Sequence, residues 1–181
     1  MCPIILRKMH SLDVPAVTNL LNNYLSFGSA TLEKISTYLQ KATVRTVVLE
    51  IDGNVMGFIK AEHITPDTDW GTLGYKPQAY EVLLPFYHHK LLSLDLAVIH
   101  PHYQQKGYFE KLIQGICKKE NYDYVIGLSW IKNEQQATSI QQKNHYTRRL
   151  PYYWAEDQLA CDQCAGYCQC DALLWVGHFN H

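Results

Sequence analysis

Leu94–Glu120 reads LDLAVIHPHYQQKGYFEKLIQGICKKE, and the order of its parts decides the fold. An apolar, β-rich run stops at Pro101. A short polar stretch with one glycine follows, and apolar residues then return at helical spacing. The segment therefore reads strand, glycine loop, helix. The first amides of a helix lack intrahelical partners and carry partial positive charge. A glycine just before them lets the backbone approach an anion closely. Lys106 beside Gly107 adds a cation, so the loop suits a phosphate or pyrophosphate. It is neither a Walker loop nor a G-x-G-x-x-G fingerprint. A plain β–α turn that uses glycine for its backbone angle is the alternative reading.

Working outward, Ile4–Arg7 reads as a short strand and Ser11 as the cap of a helix bearing Val14, Val17, Leu20, Leu21 and Leu25. Pro15 is tolerated in its first turn. Thr31–Gln40 is expected to be a second short helix. The runs 44–51 and 54–63 flank Asp52-Gly53, a strong hairpin signal. Residues 64–90 are turn-rich, then apolar but interrupted by Pro85, and read as a long insert between two strands. Tyr122–Ile131 is another strand, and residues 133–145 form a polar helix. The segments Tyr152–Trp154 and Ala172–Phe179 close the chain as expected strands. This succession describes a mixed α/β domain around one sheet.

The chain has 181 residues, 47% of them hydrophobic and 18% charged, with a formal net charge of -1. Such a length suits one domain, expected to span 1–181. Near-neutral charge argues against a nucleic-acid partner. The sequence contains no stretch approaching the ~20 apolar residues of a membrane span. The start of the chain has too short an apolar run for a signal peptide. A reducing cytoplasmic location is therefore expected, with the six cysteines as thiols or metal ligands.

The segment around Gln104, Gly107 and Phe109 resembles the coenzyme A-binding motif of the GNAT-type N-acetyltransferases, [QR]-x-x-G-x-[GA] opening a helix after a strand. Phe109 stands where that family usually has glycine or alanine. The order of elements across the chain is similar to the family's as well. The resemblance implies a central mixed sheet of about six to seven strands flanked by helices, and acetyl transfer from acetyl-CoA to an amine. It implies that main-chain groups of Leu96, Ala97 and Val98 meet the pantetheine and thioester. It further implies that the amides of Gln105, Lys106, Gly107, Tyr108 and Phe109 hold the pyrophosphate while Gln104 orders the loop. Asn133, on the polar helix, matches another family position and is included among the cofactor-binding residues.

A protonated amine cannot attack a thioester, so some group must take its proton. Glu62, His63 and Asp95 are the candidate bases; Glu62 and His63 point to opposite faces of their strand, so only one of the two can face the site. In the family a tyrosine often protonates the departing thiolate. Here Gln141 falls at that place, which leaves water, Tyr146 or Tyr152 as the source. The acidic, aromatic loop with Asp67, Asp69 and Trp70 would attract a cationic amine, or is a solvated turn. The acceptor is a small-molecule or protein amine, and the chain is a monomer or homodimer.

Cys161, Cys164, Cys168 and Cys170 form C-x2-C-x3-C-x-C within residues 161–170. Four close thiols around a glycine-containing turn match a closed, structural Zn2+ site. An iron–sulfur centre or unligated, redox-active thiols are the alternatives. Two other functional classes stand beside the acetyltransferase: a coenzyme A- or protein-binding module of the same fold without efficient catalysis, and a zinc-stapled adaptor.

Overall fold

β-Branched residues on both sides of Asp52-Gly53 build the first hairpin. β2 (Val44–Ile51) pairs antiparallel with β3 (Asn54–His63). The turn needs two residues in the left-handed region, and Asp52 and Gly53 supply them with φ of 51° and 74°. β1 (Ile4–Lys8) pairs antiparallel with the outer edge of β2. The computed structural model describes residues 3–25, 30–117, 121–131, 134–155, 160–161, 164 and 166–178, with the backbone alone at 136, 160 and 161. The main sheet has seven strands in the order β1-β2-β3-β4-β5-β9-β6, with β4 at Leu91–Ile99, β5 at Tyr124–Trp130, β6 at Tyr146–Leu150 and β9 at Ala172–His178. A separate ribbon joins β7 (Ala160–Cys161) to β8 (Gly166–Tyr167). The mixed sheet flanked by helices matches the expected fold class. Among the described residues, no helix is long and apolar enough to cross a membrane.

The chain divides into two compact units, residues 1–63 with 94–121 and residues 64–93 with 122–181. In the first, alternate side chains of β2 and β3 go to opposite layers. Val44, Val48 and Phe58 pack under α1 (Val14–Tyr24) and α2 (Leu32–Thr37), against Val17, Leu21 and Ile35. On the other face lies α4 (Tyr108–Cys117). A methyl built on Gly57 would sit 3.4 Å from Leu112, and one on Gly115 3.4 Å from Val47, so small residues set how closely helix and sheet approach. The entry to α1 is pinned by charge. Arg7 grips Asp13 with two bonds of 2.6 and 2.8 Å and reaches Glu50 at 2.8 Å, while the His10 amide donates to Asp13 at 2.9 Å.

The second unit repeats the layering. α3 (Pro77–Leu83) buries Ala79 and Leu83 with Ile126, Leu150, Leu174 and Val176, while α5 (Glu134–Lys143) covers Leu173 with Ala137. All four tryptophans are here. Trp70 stacks on Tyr87 at 5.1 Å, Trp130 on Trp154 at 5.6 Å, and Trp175 donates to the Ser129 hydroxyl at 3.0 Å.

The insert at 64–90 runs between β3 and β4 and contains α3, whose apolar spacing is short and is followed by Pro85. One expectation is corrected. Tyr152–Trp154 is a turn, and the strand that precedes β9 in the sheet is β6. Tyr152 has φ 51°, and the buried Tyr153 hydroxyl accepts from the Lys76 amide at 2.7 Å while donating to the Gly74 carbonyl at 3.1 Å. A left-handed residue and a buried hydroxyl tied to a loop are incompatible with an extended ladder.

Two outcomes are expected. Burial by itself would raise the Asp13 carboxyl, but Arg7 and the His10 amide outweigh it and hold it below the ordinary carboxylate range. A lowered folded value means stability present above the unfolded value of about 3.9 and lost as pH falls through the folded one. Chemical denaturation should therefore show Asp13→Asn weaker by about 2 kcal/mol at neutral pH and less sensitive to acid than the native chain. In the second unit, a Cβ on Gly127 would lie 2.5 Å from the Trp175 ring, its cross-strand neighbour. Gly127→Ala should cost roughly 2 kcal/mol in the same measurement, because Trp175 must leave its place.

Candidate functional site

β4 ends where the glycine loop begins, and several bonds hold that junction. The His100 amide donates to the Met56 carbonyl of β3 at 2.9 Å. The Gln104 side chain turns back and donates to the Ile99 carbonyl at 2.9 Å. The chain then takes left-handed φ values of 60° at Gln105 and 74° at Gly107 before α4 starts at Tyr108. The first intrahelical bond of α4 runs from the Lys111 amide to the Gly107 carbonyl. Among the described residues, none of the amides of Gln105, Lys106, Gly107, Tyr108 and Phe109 donates to a protein acceptor. A Cβ placed on Gly107 would meet nothing within 4 Å. Lys106 lies over the Tyr103 ring and Lys111 over the Tyr108 ring, each at 5.3 Å, which places two cations beside these amides. Orphan amides, the positive helix end, an open approach and nearby ammonium groups together suit a polyanion.

Upstream, β4 is buried at Leu91–Ser93 and again at Val98–Ile99, but only half-buried from Leu94 to Ala97. A strand covered by neighbours and helices along its whole length would be buried throughout. Its middle, Leu94 to Ala97, thus keeps some exposed surface, with Val98 more deeply set.

Lys60, Glu62 and Asp95 form a second feature of the same unit. Lys60 and Glu62 are two apart on β3 and so share a face, the one carrying Phe58. The Lys60 ammonium is ion-paired to Asp95 and lies 3.6 Å from Glu62. Glu62 also accepts from the Thr43 hydroxyl at 2.9 Å. The ammonium sits 5.1 Å from the centre of the Tyr38 ring, whose hydroxyl is pushed to higher pKa by burial and by Asp95, with Lys60 opposing. The side chains of Lys60, Glu62 and Asp95 are 11%, 15% and 11% exposed. This arrangement brings together two of the bases expected from sequence, Glu62 and Asp95, around a cation the sequence reading missed. His63 points to the other face of β3. The available signal was a lysine in an otherwise apolar strand interior, where a charge needs partners.

The other expected residues belong to the second unit. Tyr146 opens β6, is 39% exposed, and has its ring 6.1 Å from that of Phe86. Tyr152 is 67% exposed. Asp69 accepts from the Gly71 amide and the Thr72 hydroxyl at 3.0 and 2.8 Å, closing its own turn. Asn133 lies outside the described residues. Of the cysteine set, Cys164, Cys168 and Cys170 converge, whereas the side chain of Cys161 lies outside the described residues.

No family model and no curated protein sequence matches the chain. Solved structures match it in shape. NAA60 of Arabidopsis thaliana in complex with acetyl-CoA superposes with a TM-score of 0.68 at 13% identity, over 99% of this chain and 100% of that one. The ribosomal-protein-S18-alanine N-acetyltransferase of Escherichia coli gives 0.66 at 11% identity, over 99% and 96%. Mutant forms of the spermidine/spermine N-acetyltransferase SpeG of Vibrio cholerae give 0.62 at 14% identity, over 96% and 92%. The fold is that of the GNAT-type N-acetyltransferases.

If Lys60 holds the two carboxylates together, removing its charge should loosen this unit. Lys60→Met should lower the thermal midpoint by an amount equivalent to about 3 kcal/mol, the usual cost of breaking a buried pair. The double variant Lys60→Met with Asp95→Leu should regain part of that loss, since fewer charges are then left buried without a partner.

Proposed function

We propose that the chain transfers an acetyl group from acetyl-CoA to a primary amine. One observation carries this reading: the five successive amides of Gln105–Phe109, unused by the protein's own acceptors among the described residues, lie at the mouth of α4 beside Gly107. These amides hold the pyrophosphate, and Lys106 and Lys111 add charge. Gln104 keeps the loop closed. Main-chain groups of Leu96, Ala97 and Val98 line the pantetheine arm and the thioester. Asn133 keeps the cofactor-side role implied by resemblance. The two units act as one acetyltransferase domain. The likeness in fold to NAA60, whose structure holds acetyl-CoA, supports the choice of donor.

The reaction needs little from side chains. The amine lone pair attacks the thioester carbonyl carbon, a C–N bond forms, the C–S bond breaks, and the sulfur leaves as thiolate. Holding both reactants in line supplies much of the rate. The amine must first lose its proton, and Glu62 or Asp95 accepts it, directly or through water. Lys60 holds both carboxylates in place. Water protonates the departing thiolate; Tyr146, the source expected from sequence, belongs to the second unit. The cluster of one cation and two carboxylates carries net negative charge, which favours a cationic acceptor, small molecule or protein. Among the proteins of the same fold, one is named for an alanine of a ribosomal protein and another for polyamines.

One observation favours a second reading, a coenzyme A-binding module without efficient turnover: Lys60 already occupies the position between the two carboxylates. Two measurements separate the readings. Gly107→Val should weaken coenzyme A binding by about tenfold or more, roughly 1.4 kcal/mol, with the circular dichroism spectrum unchanged. Unaltered affinity removes the pyrophosphate assignment. Thiol release from acetyl-CoA across an amine panel should show turnover. Glu62→Gln or Asp95→Asn should then cut kcat by about 10²-fold or more with little change in the KM for acetyl-CoA. Tight binding without turnover on any amine favours the second reading.

A further inference from the structure

The cysteine stretch plays no part in acyl transfer, yet the structure gathers its thiols. The Sγ atoms of Cys164, Cys168 and Cys170 all lie within 4.8 Å of one another, and those of Cys164 and Cys170 are 3.6 Å apart. That is far beyond a covalent S–S bond of about 2.05 Å. A tetrahedral ion with metal–sulfur bonds of about 2.3 Å holds its sulfurs about 3.8 Å apart, close to the spacing seen. The backbone is arranged for thiolates as well. The Gln169 amide donates to Cys164 Sγ and the Cys170 amide to Cys168 Sγ, each at 3.3 Å. Backbone donors aimed at ligating sulfurs commonly support metal sites from outside the ligand set. Cys168 is fully buried, with the two other sulfurs beside it. Cys117 gives the contrast: burial in α4 pushes its thiol up to about 12 and leaves it inert.

The two-stranded ribbon points to the fourth donor. β7 pairs with β8 so that Cys161 stands opposite Gly166. The chain at 161 therefore returns alongside the turn that carries Cys164 and leads into Cys168. An all-sulfur donor set selects Zn2+ over hard cations such as Mg2+ or Ca2+, and four protein ligands leave no open coordination position.

We propose that Cys164, Cys168 and Cys170, with Cys161 as the fourth ligand, bind one Zn2+ as a closed structural site. The site is independent of the acetyltransferase reading. Its effect is to fix the connection between β6 and β9. Cys170 leads directly into Asp171, whose carboxylate accepts from the Tyr152 amide at 3.0 Å and from Arg149 at 2.5 Å. Arg149 also reaches Glu134 at the start of α5, at 2.7 Å. Closing the sulfur turn holds Asp171, and with it the ends of three elements, in register.

The test uses the full chain, purified without a histidine tag and kept reduced. Elemental analysis should find about one zinc per chain, and Co2+ reconstitution should give the charge-transfer and d–d bands of a tetrahedral thiolate site. Cys164→Ser, Cys168→Ser and Cys161→Ser should each weaken Zn2+ binding by more than roughly 100-fold, beyond the effect of losing an outer partner. Cys117→Ser should not. Because a variant can fail to fold, the native chain supplies a second reading: titrating its thiols with a mercurial should release one zinc to a chromogenic indicator, and chelation should lower the thermal midpoint. Native affinity in Cys161→Ser overturns the fourth ligand. Native affinity in Cys164→Ser and Cys168→Ser, a stable chain that takes up no Zn2+, or iron with acid-labile sulfide in place of zinc overturns the proposal.

Discussion

The structure turns on two left-handed residues, Gln105 and Gly107. Their backbone geometry carries the chain into α4 while, among the described residues, the amides of Gln105–Phe109 are spent on no internal bond. Everything around them maintains that state. His100 is tied to β3, Gln104 folds back on Ile99, and α4 lies against β3 and β2 with Leu112 beside Gly57 and Gly115 beside Val47. A free run of N–H groups costs a protein stability when buried. Here it is exposed at the helix mouth, where water or an anion satisfies it. The availability of these amides depends on dihedral angles and not on side-chain identity. Phe109, 38% exposed, can therefore stand where a smaller residue is the family habit without closing the amides off.

Near this rigid backbone lies a more costly device. A lysine 9% exposed inside a strand would be unfavourable alone, and Asp95 and Glu62 are what allow it. The result is a polar cluster of fixed geometry in a layer otherwise built from Val17, Leu21, Val48 and Phe58. Charges arranged in advance can act on a reacting group without reorganising. The same ion pairs that hold the carboxylates in place also oppose their release to any other cation.

The sequence was most legible where local signals agreed. β2, β3 and β4 begin and end at the residues their composition and turns suggest, because β-branched runs meet Asp52-Gly53 or Pro101 abruptly. The start of α4 followed from Gly107 for the same reason. Legibility failed where long-range contacts decide. Tyr153 has strand-like neighbours, but its hydroxyl is claimed by Lys76 and Gly74, so the segment turns. α3 was hidden because its seven residues sit between a turn-rich stretch and Pro85. Lys60 was overlooked because the partner that explains it, Asp95, is far along the chain. Glu62 and Asp95 were found by residue type alone; their meeting through a shared ammonium needs the pairing of distant strands. The cysteine spacing was readable, whereas the amide donors to sulfur were not.

The placement of the indole rings has a practical corollary. Trp70, Trp130, Trp154 and Trp175 all fall within residues 64–93 and 122–181, while the glycine loop and the Lys60 cluster belong to the unit that has none. Intrinsic emission excited at the red edge thus watches only half of the molecule, and tyrosine absorbance or an introduced fluorophore is needed to watch the other. The chain carries a built-in optical label that distinguishes loosening of the unit with the cysteine cluster from events at the glycine loop.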